Sequence, residues 1–295
     1  MILIDMNQVM ISNLMMNMSI HGPQKIEEEL VRHMVINSIR MYRSKFYKEY
    51  GELVLCYDSK KYWRKKVFPF YKGTRKRDRE KSNHDWGNIF DVLNKLKDEF
   101  KENLPYPTMD IDGAEADDII AILTKLQGKV NIRLQNNMQP PVKVLILSGD
   151  KDFIQLQKYK FVKQYNPIQK KYVVTNGDPK QYILEHTIKG DRSDGIPNFL
   201  SEDDTFVENK RQKPLTKKNI DMWLDMSPEQ FCRDDKTLQQ YNRNKQLIDF
   251  SFIPDEIEKT IIDNYMNIVP NKRGKLYQYF ALHRLTEMLD KIGEF

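Results

Sequence analysis

The chain has 295 residues, 48 Lys and Arg against 42 Asp and Glu, a formal net charge of +6 and 40% hydrophobic residues. That length suits two domains with enough core to fold without a disulfide or metal staple. The balance excludes a collagen-like chain, a disulfide scaffold and a wholly disordered protein, and no apolar run approaches the roughly 20 residues of a membrane helix. Two cysteines, Cys56 and Cys232, imply a reducing compartment. Asp5 interrupts the apolar N-terminus and no basic region precedes it, so a signal peptide is not expected.

In chain order, Met1–Asp5 reads as a short buried strand. Gln24–Tyr50 reads as a long helix, with Ile26, Leu30, Met34, Ile39, Tyr42 and Phe46 on one face and Gly51 as its stop. Glu52–Asp58 is a second apolar strand. Trp86, Ile89, Leu93, Leu96 and Phe100 mark an amphipathic helix. Pro107–Asp112 reads as a short strand followed by a helix through Lys125, and Val142–Leu147 is the clearest buried strand. Phe161–Tyr165 and Lys171–Thr175 flank a Pro-containing turn and read as a hairpin. This alternation predicts an open, mostly parallel α/β sheet over residues 1–182.

From Asp178-Pro179, a helix cap and first-turn proline, no further strand is expected. Ser227-Pro228-Glu229-Gln230 is another helix start, and Lys236–Phe250, Asp255–Tyr265 and Lys275–Ile292 read as helices. Residues 183–295 are therefore expected to form a smaller all-helical domain. Phe199–Lys213, charged and poor in large apolar groups, reads as a mobile loop.

The positive charge is concentrated. Eleven Lys and Arg lie between Lys60 and Lys81, opposed only by Asp78 and Glu80, and the rest of the chain is slightly acidic. Tyr62, Trp63, Phe68, Phe70 and Tyr71 are interleaved with them. Basic groups can hold phosphates while aromatic faces stack on unpaired bases, the signature of a polyanion partner. A solvated charged loop with its aromatics in the core is the competing reading.

Three apolar strands end in an aspartate: Ile2-Leu3-Ile4 at Asp5, Leu53 to Tyr57 at Asp58, and Val144 to Gly149 at Asp150, with Asp152 two residues on. Ligands in open α/β sheets bind beyond the carboxyl ends of the strands. Parallel neighbours would bring these carboxylates to one crevice. Glu115, Asp117 and Asp118 open a helix beside them, and Asp191 and Asp194 form a further pair. So many carboxylates cannot cluster ionised without compensation, and bound divalent cations supply it. All-oxygen ligation selects magnesium or manganese rather than zinc. The five histidines are scattered, and none is expected as a ligand. Read singly, each aspartate is as well explained as a cap or turn former; the set favours a metal site.

The ordered set resembles the flap endonuclease-type 5′-nuclease family, and within it the T-even phage ribonuclease H branch. The matching segments are Leu3-Ile4-Asp5, Leu55-Cys56-Tyr57-Asp58, Met109-Asp110-Ile111-Asp112 with Glu115-Ala116-Asp117-Asp118, Ser148-Gly149-Asp150-Lys151-Asp152-Phe153 and Gly190-Asp191-Arg192-Ser193-Asp194. The stretch from Trp63-Arg64 to Arg75 resembles the basic segment entering the family's arch. The resemblance implies a PIN/5′-nuclease-like sheet with a flexible arch over about residues 60–86. It implies that Asp5, Asp58, Glu115 and Asp117 hold a first magnesium ion. Asp150, Asp152 and Asp194 would serve a second, with Asp118 and Asp191 in its outer shell and manganese able to substitute.

By the same resemblance, Lys72 and Arg75 would contact the scissile phosphate and Tyr71 would stack on the adjacent base. Arg64, Lys65, Lys66, Lys76, Arg77, Lys217 and Lys218 would bind nucleic acid. The implied activity is cutting near the 5′ end of RNA paired to DNA, of duplex DNA and of flaps. DNA and RNA–DNA hybrid are the expected partners, with a single-strand-binding protein and a sliding clamp as further candidates. A monomer in the cytoplasm is expected, the host's if the gene is a phage's. Two departures stand out. Many relatives carry a glycine-rich hairpin that grips duplex through a potassium ion, but Phe199–Lys213 has no glycine, which puts a potassium site in question. The chain also begins directly at its first strand, so a partner motif in an N-terminal extension is not expected.

Three other readings compete. A PIN-type RNA endonuclease lacks the long basic-aromatic segment and helical second domain. A non-catalytic DNA-binding module needs no carboxylates. A haloacid dehalogenase-type phosphotransferase wants Asp-x-Asp, where this chain has Asp5-Met6-Asn7.

Overall fold

The computed structural model describes residues 1–21, 26–175 and 177–295. Strand β1 (Ile2–Asp5) runs straight into helix α1 (Met6–His21), and α2 (Glu28–Tyr50) leads to β2 (Leu53–Tyr57). Two short helices, α3 (Arg64–Val67) and α4 (Thr74–Glu80), precede α5 (Trp86–Asn103), β3 (Thr108–Asp110), α6 (Ala116–Asn136) and β4 (Val144–Leu147). A 3-10 helix (Lys151–Lys158) connects to the hairpin of β5 (Val162–Asn166) and β6 (Lys171–Val173). Helices follow: α7 (Pro179–Lys189), α8 (Lys217–Trp223), α9 (Pro228–Phe231), α10 (Asp235–Ile248), α11 (Asp255–Asn267), α12 (Arg273–Leu282) and α13 (Thr286–Asp290).

The sheet order is β3-β2-β1-β4-β5-β6, parallel throughout except for the antiparallel edge strand β6. The chain thus works outward from β1 to one side and then to the other. That reversal opens a crevice at the carboxyl ends of β1, β2 and β4. The two faces follow from the alternation of side chains along each strand. Ile2, Ile4, Leu53, Leu55, Leu145 and Leu147 pack under α1, α2 and α5, and Leu3, Val54, Cys56, Val144 and Ile146 under α6 and α11. Leu276, Phe280, Met288 and Phe295 close the first of these cores, so the chain's last helices are built into the sheet's own packing. No helix of the described residues is long and apolar enough to cross a membrane.

The mostly parallel sheet and the helical C-terminal region match the expectation; several details differ. Helix α1 was not expected, because its apolar residues surround the helix and leave no amphipathic period to read. The expected start of α2 at Gln24 lies outside the described residues. Helix α6 runs on past Lys125 to Asn136. The long helix expected over Lys275–Ile292 breaks where Arg284 adopts a left-handed φ of 52°. Phe199–Lys213, expected as a mobile loop, is a set of packed turns with Phe199, Ser201, Thr205 and Phe206 buried. The Asn198 amide donates to the Lys213 carbonyl at 2.9 Å, and the Lys213 N–H donates to Ser201 Oγ at 2.8 Å.

Phe280 is fully buried and meets Phe295 edge-on at 5.0 Å. Phe280→Ala is expected to cost about 3–5 kcal/mol, since a buried aromatic leaves both a lost transfer term and a cavity. Urea denaturation reads this as a lower midpoint; an unchanged midpoint would show that the last helices do not contribute to the main core.

Candidate active site

The crevice opens into a cavity of about 950 Å³ whose lining includes Asp5, Asp58, Glu115, Asp117 and Asp150. Asp5 is only 8% exposed. One of its oxygens accepts from the Gln8 N–H at 3.0 Å, capping α1, and the other from Ser148 Oγ at 3.0 Å. Burial, and then Asp58, push its carboxyl up to about 6. Asp58 accepts from the Ala116 N–H at 2.7 Å and from Asn7 Nδ2 at 2.9 Å; burial raises it as well. Asp117, in the first turn of α6, is pushed well above the usual range by burial and by Asp150 and Asp5. Asp150 caps the 3-10 helix through the Asp152 N–H at 2.9 Å. Although its edge is open to solvent, the surrounding protein and Asp152 push it up to about 7.

The basic segment supplies counter-charges, and it does so from inside the protein. Arg64 is buried, pairs with Glu115 and Asp118 at 2.8 Å each, and donates to the Leu247 carbonyl. It does not present its guanidinium to solvent, contrary to the phosphate role expected of it. Asp118 is likewise buried, accepting from Trp63 Nε1 at 3.1 Å and from the Glu115 N–H at 3.0 Å, which closes the start of α6. Burial raises Glu115, but Lys72 and Arg64 more than offset this and hold it below the usual carboxylate range. Tyr71 is also buried, its hydroxyl donating to Asp194 at 2.7 Å, so its ring is not free to stack on a base. Tyr62 packs edge-on against that ring and itself lines the cavity. The expected flexible arch is thus tied down over its first half.

Lys72 and Arg75 do reach the cavity. Lys72 holds a left-handed φ of 55°, fixed by its N–H to the Asp194 carbonyl at 2.7 Å, and its ammonium lies on Glu115. Arg75 pairs with Asp194 at 2.8 Å. Burial raises Asp194, and these two cations oppose the rise. Of the other expected nucleic-acid contacts, Lys65 lines the cavity, Lys66 and Lys76 are exposed, and Arg77 reaches the carbonyls of Phe206 and Val207. Lys217 and Lys218 are exposed at the start of α8, away from the cavity lining.

Asp152 and Asp191 are joined by a residue that the sequence reading passed over. His186 Nε2 lies 3.1 Å from Asp152 and 3.3 Å from Asp191. Burial opposes its charge, but hydrogen bonds to the two carboxylates push the imidazole up to about 10. Burial would raise Asp191; His186 and Ser193 instead hold it well below the usual range. The three residues offer ligand atoms within 4.8 Å of one another, a grouping that can hold a metal ion. Asn7, which buttresses Asp58, was also missed; its only signal is its place two residues after a strand-end aspartate.

Residues 1–183 match the family described as 5′-3′ exonuclease, N-terminal resolvase-like domain, and residues 177–295 the family described as T4 RNase H, C terminal. The ribonuclease H of Enterobacteria phage T4 is 36% identical over 303 residues, covering 99% of this chain and 95% of that protein. The chain belongs to the T4 RNase H and 5′-3′ exonuclease family. It is a nuclease of the 5′-nuclease type, as the ordered motifs implied. A 5′-3′ exonuclease of Buchnera aphidicola subsp. Acyrthosiphon pisum is 29% identical over 163 residues, covering 52% of this chain and 50% of that protein. Among solved structures, the phage T5 D15 protein co-crystallised with metal ions superposes with a TM-score of 0.62 at 17% identity, over 90% of this chain and 98% of that one. The T5 5′-exonuclease with bound zinc gives 0.56 at 17% identity, over 96% and 98%. These two share the fold.

Two outcomes follow from this electrostatic arrangement. Arg64→Ala leaves Glu115 and Asp118 buried without their shared cation and is expected to cost about 3–5 kcal/mol in urea unfolding. A loss under about 1 kcal/mol with sharply weaker DNA binding would instead mark Arg64 as a phosphate contact. Burial and neighbouring carboxylates push Asp5 up to about 6 and Asp150 up to about 7, against 3.8 in the unfolded chain. The metal-free folded chain therefore holds more protons than the unfolded chain between about pH 4 and 7, and stability falls as pH rises through that window. Thermal unfolding in EDTA should give a higher Tm at pH 5 than at pH 7.5, with a shallower slope for Asp5→Asn; parallel slopes would refute the assignment.

Proposed function

We propose that the protein is a metal-dependent 5′-to-3′ exonuclease and flap endonuclease. It hydrolyses phosphodiester bonds near the 5′ end of RNA–DNA hybrids and duplex DNA, and removes RNA primers during phage DNA replication. The observation that carries the reading is the gathering of Asp5, Asp58, Glu115, Asp117 and Asp150 around one cavity with Lys72 and Arg75 in its wall. In that setting its partners are DNA and hybrid duplex, with a single-strand-binding protein and a sliding clamp of the replication machinery.

The donor set fits hard divalent cations. Burial raises all three of Asp5, Asp117 and Asp150, with Asp58 adding to Asp5, Asp150 and Asp5 to Asp117, and Asp152 to Asp150. Among the described residues none of the three sits in an ion pair, which is the imbalance that a bound ion would relieve. Asp5, Asp58, Glu115 and Asp117 would hold one magnesium or manganese ion. Asp150, Asp152 and Asp194 would serve a second, with Asp118 and Asp191 outside it. When bound, such a pair supplies an activated water and neutralises the departing 3′ oxygen.

The chain's own groups do the rest. Lys72 and Arg75 stand where a phosphate entering the cavity meets them, and both stay protonated beside their carboxylates. Their charge offsets what develops on the phosphate oxygens. Asn7 and Ser148 orient Asp58 and Asp5, so these carboxylates need not reorganise. His186 holds Asp152 against Asp191.

A 5′-labelled RNA primer annealed to DNA tests this. Short products should leave the 5′ end with magnesium and not with EDTA. Asp150→Asn should abolish cutting while binding changes little, and Lys72→Ala should slow turnover by roughly 100-fold. Normal turnover by Asp150→Asn would sink the metal assignment.

A further inference from the structure

A second cavity, of about 530 Å³, is lined by residues of α6, of the segment leading into β4 and of the entry to β5. Strands β4 and β5 are parallel, and Asp150 lies just beyond the carboxyl end of β4. The cavity therefore sits at the amino ends of the strands, across the length of the sheet from the catalytic crevice.

Its floor is apolar. Tyr159 and Phe161 stack with centroids 5.3 Å apart. They lie against α6 at Gly128, where a Cβ would touch Phe161 at 3.4 Å and Tyr159 at 3.8 Å. Ile132, one turn further on, is 61% exposed, and Pro141 completes the wall. An exposed aliphatic side chain beside two aromatic rings in a concave surface is a feature of interaction sites rather than of plain surface.

The rim is basic. Lys125, Lys129, Lys143, Lys160 and Lys163 surround the floor against one acidic residue, Glu49. Lys125 and Lys129 pair with Glu258, at 2.6 and 3.7 Å, and Lys143 with Glu49 at 2.7 Å. Among the described residues, Lys160 and Lys163 have no acidic partner.

We propose that this cavity docks an acidic peptide segment of a partner protein. One bulky apolar side chain of the peptide covers Ile132 and the Tyr159–Phe161 pair, and flanking carboxylates meet Lys160 and Lys163. Charge complementarity of this kind sets partner choice and association rate, and the buried apolar anchor supplies the affinity. A single-stranded nucleic acid matches the rim but not the floor. Bases need free aromatic faces to stack on, and these two rings are stacked on each other and packed against the core under α6. The site's distance from the crevice lets a partner stay bound while substrate is cut.

The test uses fluorescence anisotropy on the full chain. The probe is a fluorescein-labelled peptide of aspartates and glutamates flanking a central Phe-Leu pair. The controls are the same peptide with Ser-Ser at its centre, and labelled oligo(dT). Wild type should bind the first peptide at least about tenfold more tightly than the Ser-Ser peptide. Ile132→Glu, and Lys160→Glu combined with Lys163→Glu, should each weaken binding by at least about tenfold. Both variants should keep the wild-type circular dichroism and wild-type cutting of an RNA–DNA hybrid, because neither touches the crevice. Three results would overturn the proposal: no peptide binding to wild type, equal binding by wild type and Ile132→Glu, or oligo(dT) binding that is lost in the same variants while the peptide's is not. A failure here leaves the nuclease assignment standing, since hybrid cutting is read separately.

Discussion

Gathering carboxylates at the apolar end of a buried sheet is the constraint from which the rest of this structure follows. A lone aspartate at a strand end is easily hydrated; a set of them around one crevice repels itself unless each charge is answered. The protein answers in two ways and leaves a remainder. Cations meet Glu115, Asp118 and Asp194 from the basic segment, and His186 meets Asp152 and Asp191. Main-chain N–H groups meet Asp58 and Asp5. Even with these hydrogen bonds, burial and neighbouring carboxylates keep Asp117, Asp5 and Asp150 raised, the charge that the fold leaves unanswered.

The backbone is shaped to deliver those answers. The Lys72 N–H bonds to the Asp194 carbonyl, which fastens the basic segment to the loop that carries the last two aspartates. Gly195, at φ 72°, lies under that contact: a Cβ there would press the Phe70 carbonyl at 3.1 Å. At Gly190 a Cβ would fall 2.4 Å from the Ile196 carbonyl, so only glycine lets the loop fold back into its bridge with Ile196. Phe68, Tyr71, Ile196, Leu247 and Ile248 form a small core beneath this junction. An electrostatic requirement at the site thereby becomes a packing contact between the sheet region and the helical region.

What was legible in the sequence, and what was not, has the same physical basis. The central strands could be read because each is an apolar run stopped by an aspartate, and their parallel pairing follows from the intervening helices. Helix α1 could not, because its apolar and polar residues are spread around the helix and leave no amphipathic period. The turns of Phe199–Lys213 are held by Phe199, Phe206 and the side chains of Asn198 and Ser201, too few apolar letters to stand out among the charges. The basic segment was legible as charge but not as orientation. Arg64 and Arg75 are the same letter in the same run, yet one is buried against two carboxylates and the other is 42% exposed at the cavity. His186 escaped because one partner, Asp191, lies just past the end of its own helix while the other, Asp152, lies in the 3-10 helix after β4, which only the fold brings to it.

A cap role and a ligand role for one aspartate do not exclude each other, because of the number of lone pairs on a carboxylate. A carboxylate has about four acceptor sites. Asp5 uses one oxygen to cap α1 and the other to accept from Ser148, and Asp150 caps the 3-10 helix with one oxygen. Each keeps further sites that can face the cavity. The cap bonds fix the carboxylate's rotamer, and a fixed carboxylate loses little entropy when a cation arrives. A chain that ends its strands in helix-capping aspartates therefore holds those carboxylates rigid with ordinary secondary-structure chemistry, and this is why the pattern in the sequence looks, residue by residue, like nothing more than the punctuation of an α/β fold.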